Sequence, residues 1–271
     1  MAQAYDDARS GYSPALVEAA LERGGLGAGS HVVEVGCGTG KLTELLVARG
    51  LEVEAVDPGP RMIEVARRRV GGSSRTSFHV GRFEEVELPD GSFAAVFSAT
   101  AFHWVDPAVG WRKAAELLQP GGMLALLSHI PVSDGHTAGI DDGFRELWAT
   151  YTPDEPRWPP LRGTTTLLAD ADRLRGNVSE VWDEFHGRRH GLAVPEAAGL
   201  FDEVGIDSES HVVVETADDA LALLRTASSY LRIEPARRAA FEADVRDLFE
   251  GVGGTSQFPR LTVLVSALRA G

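Results

Sequence analysis

The chain has 271 residues, 40 of them acidic and 26 basic, and a formal net charge of −14 at pH 7. That excess repels a phosphate backbone and leaves no footprint for nucleic acid or an anionic membrane, so a small-molecule partner is expected. A single cysteine, Cys37, excludes an internal disulfide, and the absence of Cys/His clusters at ligand spacing argues against a metal. The first residues lack the features of a signal peptide and no apolar run reaches membrane-spanning length, so the expectation is a soluble cytoplasmic protein. The sequence is silent on oligomeric state.

In chain order, Ser13 and Pro14 read as the cap and first turn of a helix over 13–23. A strand over 31–35 empties into three glycines, and a helix follows over 40–49, stopped by Gly50. Residues 53–56 form a second strand, 60–69 a helix, 76–80 a third strand and 93–99 a fourth. A helix over 107–118 ends at Pro120-Gly121-Gly122, with a fifth strand over 123–127. The rhythm of strand and helix then lapses. Helices are expected over 141–150, 165–175 and 194–204, a strand over 211–216, helices over 218–231 and 235–249, and a last strand over 260–268. Alternation of this kind predicts an open α/β sheet of parallel strands with crossover helices on both faces. Three domains are expected: a cofactor-binding core over 1–129, an inserted lid that sets acceptor specificity over 130–193, and the completion of the core over 194–271.

The richest segment is Val32-Val33-Glu34-Val35-Gly36-Cys37-Gly38-Thr39-Gly40. A buried strand opening into alternate glycines lets a ligand lie against the backbone. A dinucleotide turn requires G-x-G-x-x-G, and here the third glycine comes one residue early; a Walker loop fails for want of its Gly-Lys-Ser/Thr ending. Asp57 closes the second strand seventeen residues after Gly40, where a carboxylate can accept hydrogen bonds from both hydroxyls of a ribose. Pro58 follows it in the turn. His103 lies at the end of the fourth strand, after Ser98 and Thr100, and its imidazole is suited to taking a proton from an acceptor.

Glu34, Gly36, Gly38 and Gly40 match the E/D-x-G-x-G-x-G motif of the class I S-adenosylmethionine-dependent methyltransferases, which this segment resembles. The stretch 81–89 is similar to that family's G-x-A-E-x-L-P, with Phe83 in place of the alanine, and Phe102-His103-Trp104-Val105 resembles the H-W-V/F signature of a small-molecule subgroup that includes trans-aconitate methyltransferase-like proteins. Tyr5, Arg9 and Tyr12 match the family's segment that folds over the cofactor. The resemblance implies a Rossmann-like sheet of seven strands, mostly parallel with the last antiparallel, and an inserted helical lid. It also implies S-adenosylmethionine as the cofactor. Glu34 would then anchor the methionyl amino group, with Cys37 beside it on the loop. Asp57 would hold the ribose with Pro58 beside it, Met62 would flank the adenine together with the stretch Arg82, Phe83 and Glu84, and Ser98 and Thr100 would meet the cofactor from the end of the fourth strand. Trp104 would face the acceptor with His103, and Trp148 and Tyr151, with Trp158, Trp182 and His186 as further candidates, would line its pocket.

The implied reaction is in-line methyl transfer to a small-molecule acceptor, with oxygen favoured as the atom methylated and natural-product biosynthesis as the setting. Two rivals stay open: a protein that binds the nucleoside without transferring methyl, and another reaction of the same cofactor on the same fold. A nicotinamide-dependent reductase is disfavoured by the early third glycine.

Overall fold

The computed structural model describes residue 6 and residues 11–135, 137–188 and 191–271. Helix α1 (Pro14–Arg23) starts where the Ser13 hydroxyl accepts the Leu16 N–H and Pro14 takes the first helical position, where no N–H is needed. Strands β1 (His31–Val35), β2 (Glu52–Asp57), β3 (Thr76–Val80) and β4 (Phe93–Ala99) then alternate with helices α2 (Lys41–Ala48) and α3 (Pro60–Arg69). Helix α4 (Pro107–Leu117), capped by the Asp106 carboxylate on the Ala108 N–H, leads into β5 (Leu118–Pro131). Three helices, α5 (Ala138–Tyr151), α6 (Thr164–Asp172) and α7 (Val178–Phe185), precede β6 (Phe201–Thr216). Helices α8 (Ala217–Leu224), α9 (Ser228–Arg232) and α10 (Arg238–Gly251) precede β7 (Thr255–Arg269).

The seven strands form one sheet in the order β3-β2-β1-β4-β5-β7-β6, with β7 antiparallel. Strand β1 pairs in parallel with β2 through Val32 opposite Val53, and with β4 through Val32 opposite Ala95. Val32, Val33 and Val35 are all buried, as a strand covered on both faces requires. From β1 the chain steps outward to β2 and β3, then returns to β4 on the other side of β1. The carboxyl ends of β1 and β4 therefore flank a switch point, the crevice where open α/β sheets take ligands.

The chain divides into two compact units. The larger is built on Gly11–Ile130, Leu168–Glu209 and Thr262–Gly271, and its core gathers Val17, Leu21, Val32, Leu42, Leu46, Ile63, Phe97 and Leu264. The smaller is built on Pro131–Leu167 and Ser210–Leu261, with an aromatic core of Trp148, Tyr151, Tyr230, Phe241, Phe249 and Phe258. No helix among the described residues is long and apolar enough to cross a membrane.

Several elements differ from the sequence expectation, among them the following three. The stretch expected as a helix over 194–204 holds only a 3-10 turn, Pro195–Gly199, before β6 begins at Phe201. Pro195 starts a helical turn, but Gly199 and the left-handed Glu203 do not continue it. Helix α7 is absent from the expectation, although Asn177 caps it by accepting the Ser179 N–H and Glu180 follows three residues later. Strand β5 begins at Leu118 rather than 123, its pairing with β4 slipping between Phe93 opposite Leu118 and Ala95 opposite Met123. The slip absorbs the Pro-Gly-Gly stretch, with Gly121 at φ +73°.

Candidate active site at the carboxyl ends of β1, β2 and β4

Glu34 lies one residue before the end of β1, is 1% exposed, and accepts a hydrogen bond from the Thr43 hydroxyl at 2.6 Å. Burial pushes its carboxyl up to about 8, against the help of Thr43 and with a further push from Asp57. Between about 4.5 and 8 the unfolded chain gives up a proton that the fold keeps, so this contribution to stability is whole below that window and shrinks as pH rises through it. The slope is at most about 1.4 kcal/mol per pH unit. Glu34→Gln leaves an acceptor for Thr43 and removes the proton uptake. Its urea midpoint should exceed that of the wild type at pH 8 and converge with it near pH 4.5; parallel curves at all pH values would show that Glu34 does not titrate in this window.

The glycine loop turns its amides inward. The N–H groups of Gly36 and Cys37 both donate to the Val56 carbonyl, at 2.8 and 3.0 Å, and that of Gly40 donates to the Cys37 carbonyl at 2.9 Å. The Gly38 N–H donates to Asp57 Oδ2 at 2.9 Å. Four amides that a phosphate loop would aim at its ligand are thus engaged within the protein. Gly36 has φ +71°, and a Cβ there would stand 2.3 Å from the Ala101 Cβ, so the loop after β1 lies directly against the turn after β4. Gly40 then caps α2. The Cys37 thiol is buried, and that burial pushes its pKa up, so it stays protonated.

Asp57 ends β2 with Oδ1 accepting the Gly59 N–H at 2.7 Å and Oδ2 accepting that of Gly38. Burial raises its pKa while these two bonds oppose the rise. Each oxygen keeps a lone pair for a further donor. Pro58 is exposed and Met62 half-buried on the first turn of α3. After β3, Phe83 is buried, its ring 6.5 Å from that of Phe102. Glu84 takes the exposed Arg82 guanidinium at 2.9 Å and the Asp106 N–H at 2.9 Å. Burial alone would raise the Glu84 pKa, but those partners hold it below the usual range. Arg82 and Glu84 therefore tie the turn after β3 to the turn after β4 through side chains already engaged.

The turn after β4 is strained. Thr100 holds φ +53°, a region costly for a β-branched residue, and its hydroxyl accepts from the Tyr12 hydroxyl at 3.1 Å. The Tyr12 ring stacks on His129 at 5.1 Å, and His129 Nδ1 is 2.9 Å from the Thr262 hydroxyl. Ser98 is fully buried and donates to the Val35 carbonyl at 2.8 Å, so its hydroxyl binds β4 to β1 rather than a ligand. Next come His103 and Trp104 in a 3-10 turn, Phe102–Trp104, with ring centroids 5.0 Å apart. Trp104 is 59% exposed.

The structure thus gathers Tyr12, Glu34, the glycine loop, Asp57, Pro58, Met62, Phe83, Thr100, His103 and Trp104 around neighbouring strand ends of the larger unit. Trp148 and Tyr151 differ from the expectation that they line a pocket. Trp148 stacks on Trp158 and meets Phe241, and Tyr151 donates to Asp244 while its ring lies under Arg237, all in the core of the smaller unit. Tyr5 and Arg9 lie outside the described residues. Two histidines stand beside Tyr12 and His103: His129, which the sequence reading did not single out, and His186, which it named among the residues expected to line the acceptor's pocket. They come from β5 and the end of α7, distant in sequence from any motif.

Residues 33–126 match a family model described as a methyltransferase domain. An uncharacterized methyltransferase of Mycobacterium tuberculosis is 43% identical over 124 residues, 46% of this chain and 48% of that relative. The ubiquinone biosynthesis O-methyltransferase of Xanthomonas oryzae pv. oryzae is 37% identical over 102 residues, 36% of this chain and 43% of that protein. The match to these curated relatives spans under half of their length. An Anaeromyxobacter dehalogenans protein, provisionally assigned as a type II methyltransferase, shares the fold with a TM-score of 0.60 and 24% identity, over 97% of either chain.

Proposed function

We propose that the protein, whose residues 33–126 match a methyltransferase-domain model, transfers a methyl group from S-adenosylmethionine to a hydroxyl of a small-molecule acceptor. The observation that carries this reading is the inward-turned loop: its amides are engaged at Val56, Cys37 and Asp57, beside the carboxyls of Glu34 and Asp57. Such a loop suits a nucleoside without phosphate whose methionyl part is cationic, and it disfavours a dinucleotide.

When bound, S-adenosylmethionine supplies a methyl on a sulfonium, a good leaving group. Asp57 holds the ribose hydroxyls on the lone pairs that Gly38 and Gly59 leave open, while Met62 and the backbone of Phe83 flank the base. The open space beside Gly38 would admit the methionyl part, with Tyr12 and Thr100 closing over it. His103 and Trp104 would stand on the acceptor side of that site. Orientation and exclusion of water supply the remaining rate. Residues 130–193, beyond the matched domain, are proposed to set acceptor choice, and the name of the Xanthomonas relative supports oxygen as the atom methylated. The single buried cysteine and the charge of −14 support a cytoplasmic setting with no nucleic-acid partner.

Incubation with S-adenosylmethionine and catechol, a compact aromatic diol, should release S-adenosylhomocysteine in step with a monomethylated product. Binding of the donor with no methylated product from hydroxyl, amine or carbon-acid probes would instead favour the reading as a protein that binds without transfer.

A further inference from the structure

His186 lies at the carboxyl end of α7, outside the segment that matches the methyltransferase domain. Its Nδ1 is 2.8 Å from the Trp182 carbonyl oxygen. A carbonyl only accepts, so Nδ1 carries the hydrogen and Nε2 carries the lone pair. That lone pair faces the hydroxyl of Ser128 on β5 at 3.4 Å, a long contact that an incoming hydroxyl can replace. The ring is held on both sides, by Trp182 at 4.4 Å and by His103 at 4.7 Å. Helix α7 is itself fixed. Asn177 and Ser179 are bonded to the Val194 carbonyl, and the Asp183 carboxylate accepts the Leu192 N–H.

We propose that His186 is the base that takes the acceptor's proton, with His103 as the positioning residue that holds its ring. The assignment rests on the reading of the chain as an O-methyltransferase and makes it specific. The acceptor O–H bond breaks, its proton moving to Nε2. The oxygen's pair forms the bond to the methyl carbon, and the pair of the broken carbon–sulfur bond stays on sulfur. The imidazolium then passes the proton to water. A base in a fixed tautomer needs no reorientation before it acts, and positioned bases of this kind contribute roughly 100- to 10,000-fold.

The tautomer is read directly by long-range ¹⁵N NMR of the full chain loaded with S-adenosylhomocysteine. We expect His186 to show a protonated Nδ1 and a pyridine-like Nε2; the opposite tautomer overturns the assignment. With catechol as acceptor, His186→Gln and His186→Gly should each lower kcat about 100-fold while the KM for donor stays within a few-fold, and the rising limb of the kcat–pH profile should disappear. Among the described residues, the titratable group facing His186 from another element is His103. On and beside its own helix, Asp183 is bonded to the Leu192 N–H and Glu184 to Arg188. Added imidazole should restore rate to His186→Gly and leave His186→Gln unchanged. Wild-type turnover with both variants at the wild-type kcat overturns the role of His186 alone. A wild type that binds S-adenosylhomocysteine but methylates no probe overturns the transferase reading, and the base assignment with it.

Discussion

Asp57→Ala should weaken binding of S-adenosylhomocysteine by roughly 150- to 25,000-fold in isothermal titration. Each hydrogen bond to a charged carboxylate contributes about 1.5–3 kcal/mol, and two ribose hydroxyls have open lone pairs to meet. The loss has a second source. Asp57 accepts the Gly38 and Gly59 N–H groups at 2.9 and 2.7 Å, so truncation also frees the two turns between which the nucleoside would lie. Asp57→Asn retains one acceptor oxygen and should fall between the alanine variant and the wild type. An affinity within three-fold of the wild type in the alanine variant would remove the ribose from this carboxylate.

Gly36→Ala should lower Tm by roughly 5–15 °C. An alanine held at φ +71° costs about 1 kcal/mol, and its methyl, placed 2.3 Å from the Ala101 Cβ, adds about 1–3 kcal/mol of overpacking. For a domain of this size each kcal/mol moves Tm by about 2–4 °C. Gly38→Ala is the control. It has φ +54° but open space around the added methyl, so it should carry the backbone strain alone and lose only a few degrees. Equal losses in the two variants would show that the loop after β1 does not bear on the turn after β4.

The half of the fold that carries the motifs was legible because its boundaries are chemical. Strands β1, β3 and β4 and helix α3 fall where expected because Gly36, Pro60, Gly81 and Thr100 mark their ends or starts. Strands β5, β6 and β7 were expected short because their outer parts lack an apolar pattern; the exposed run of β6 after Gly205 is kept extended by pairing within the sheet. Trp148 and Tyr151 show the matching limit at the site, since an aromatic residue in a polar segment reads alike whether it fills a core or lines a pocket. His129 carried no local pattern that placed it in the active site, and His186 was one of several pocket candidates scattered through the segment without a motif. They become neighbours of Tyr12 and His103 only because β5 lies beside β4 and α7 ends near Ser128.

The measurement that bears most directly on the central claim is a crystal structure of the chain with S-adenosylhomocysteine. The account predicts the ribose hydroxyls on Asp57, the adenine beside Met62 and Phe83, and the sulfur facing His103 and His186. A nucleoside bound away from Asp57, or a sulfur turned from the two imidazoles, would contradict it.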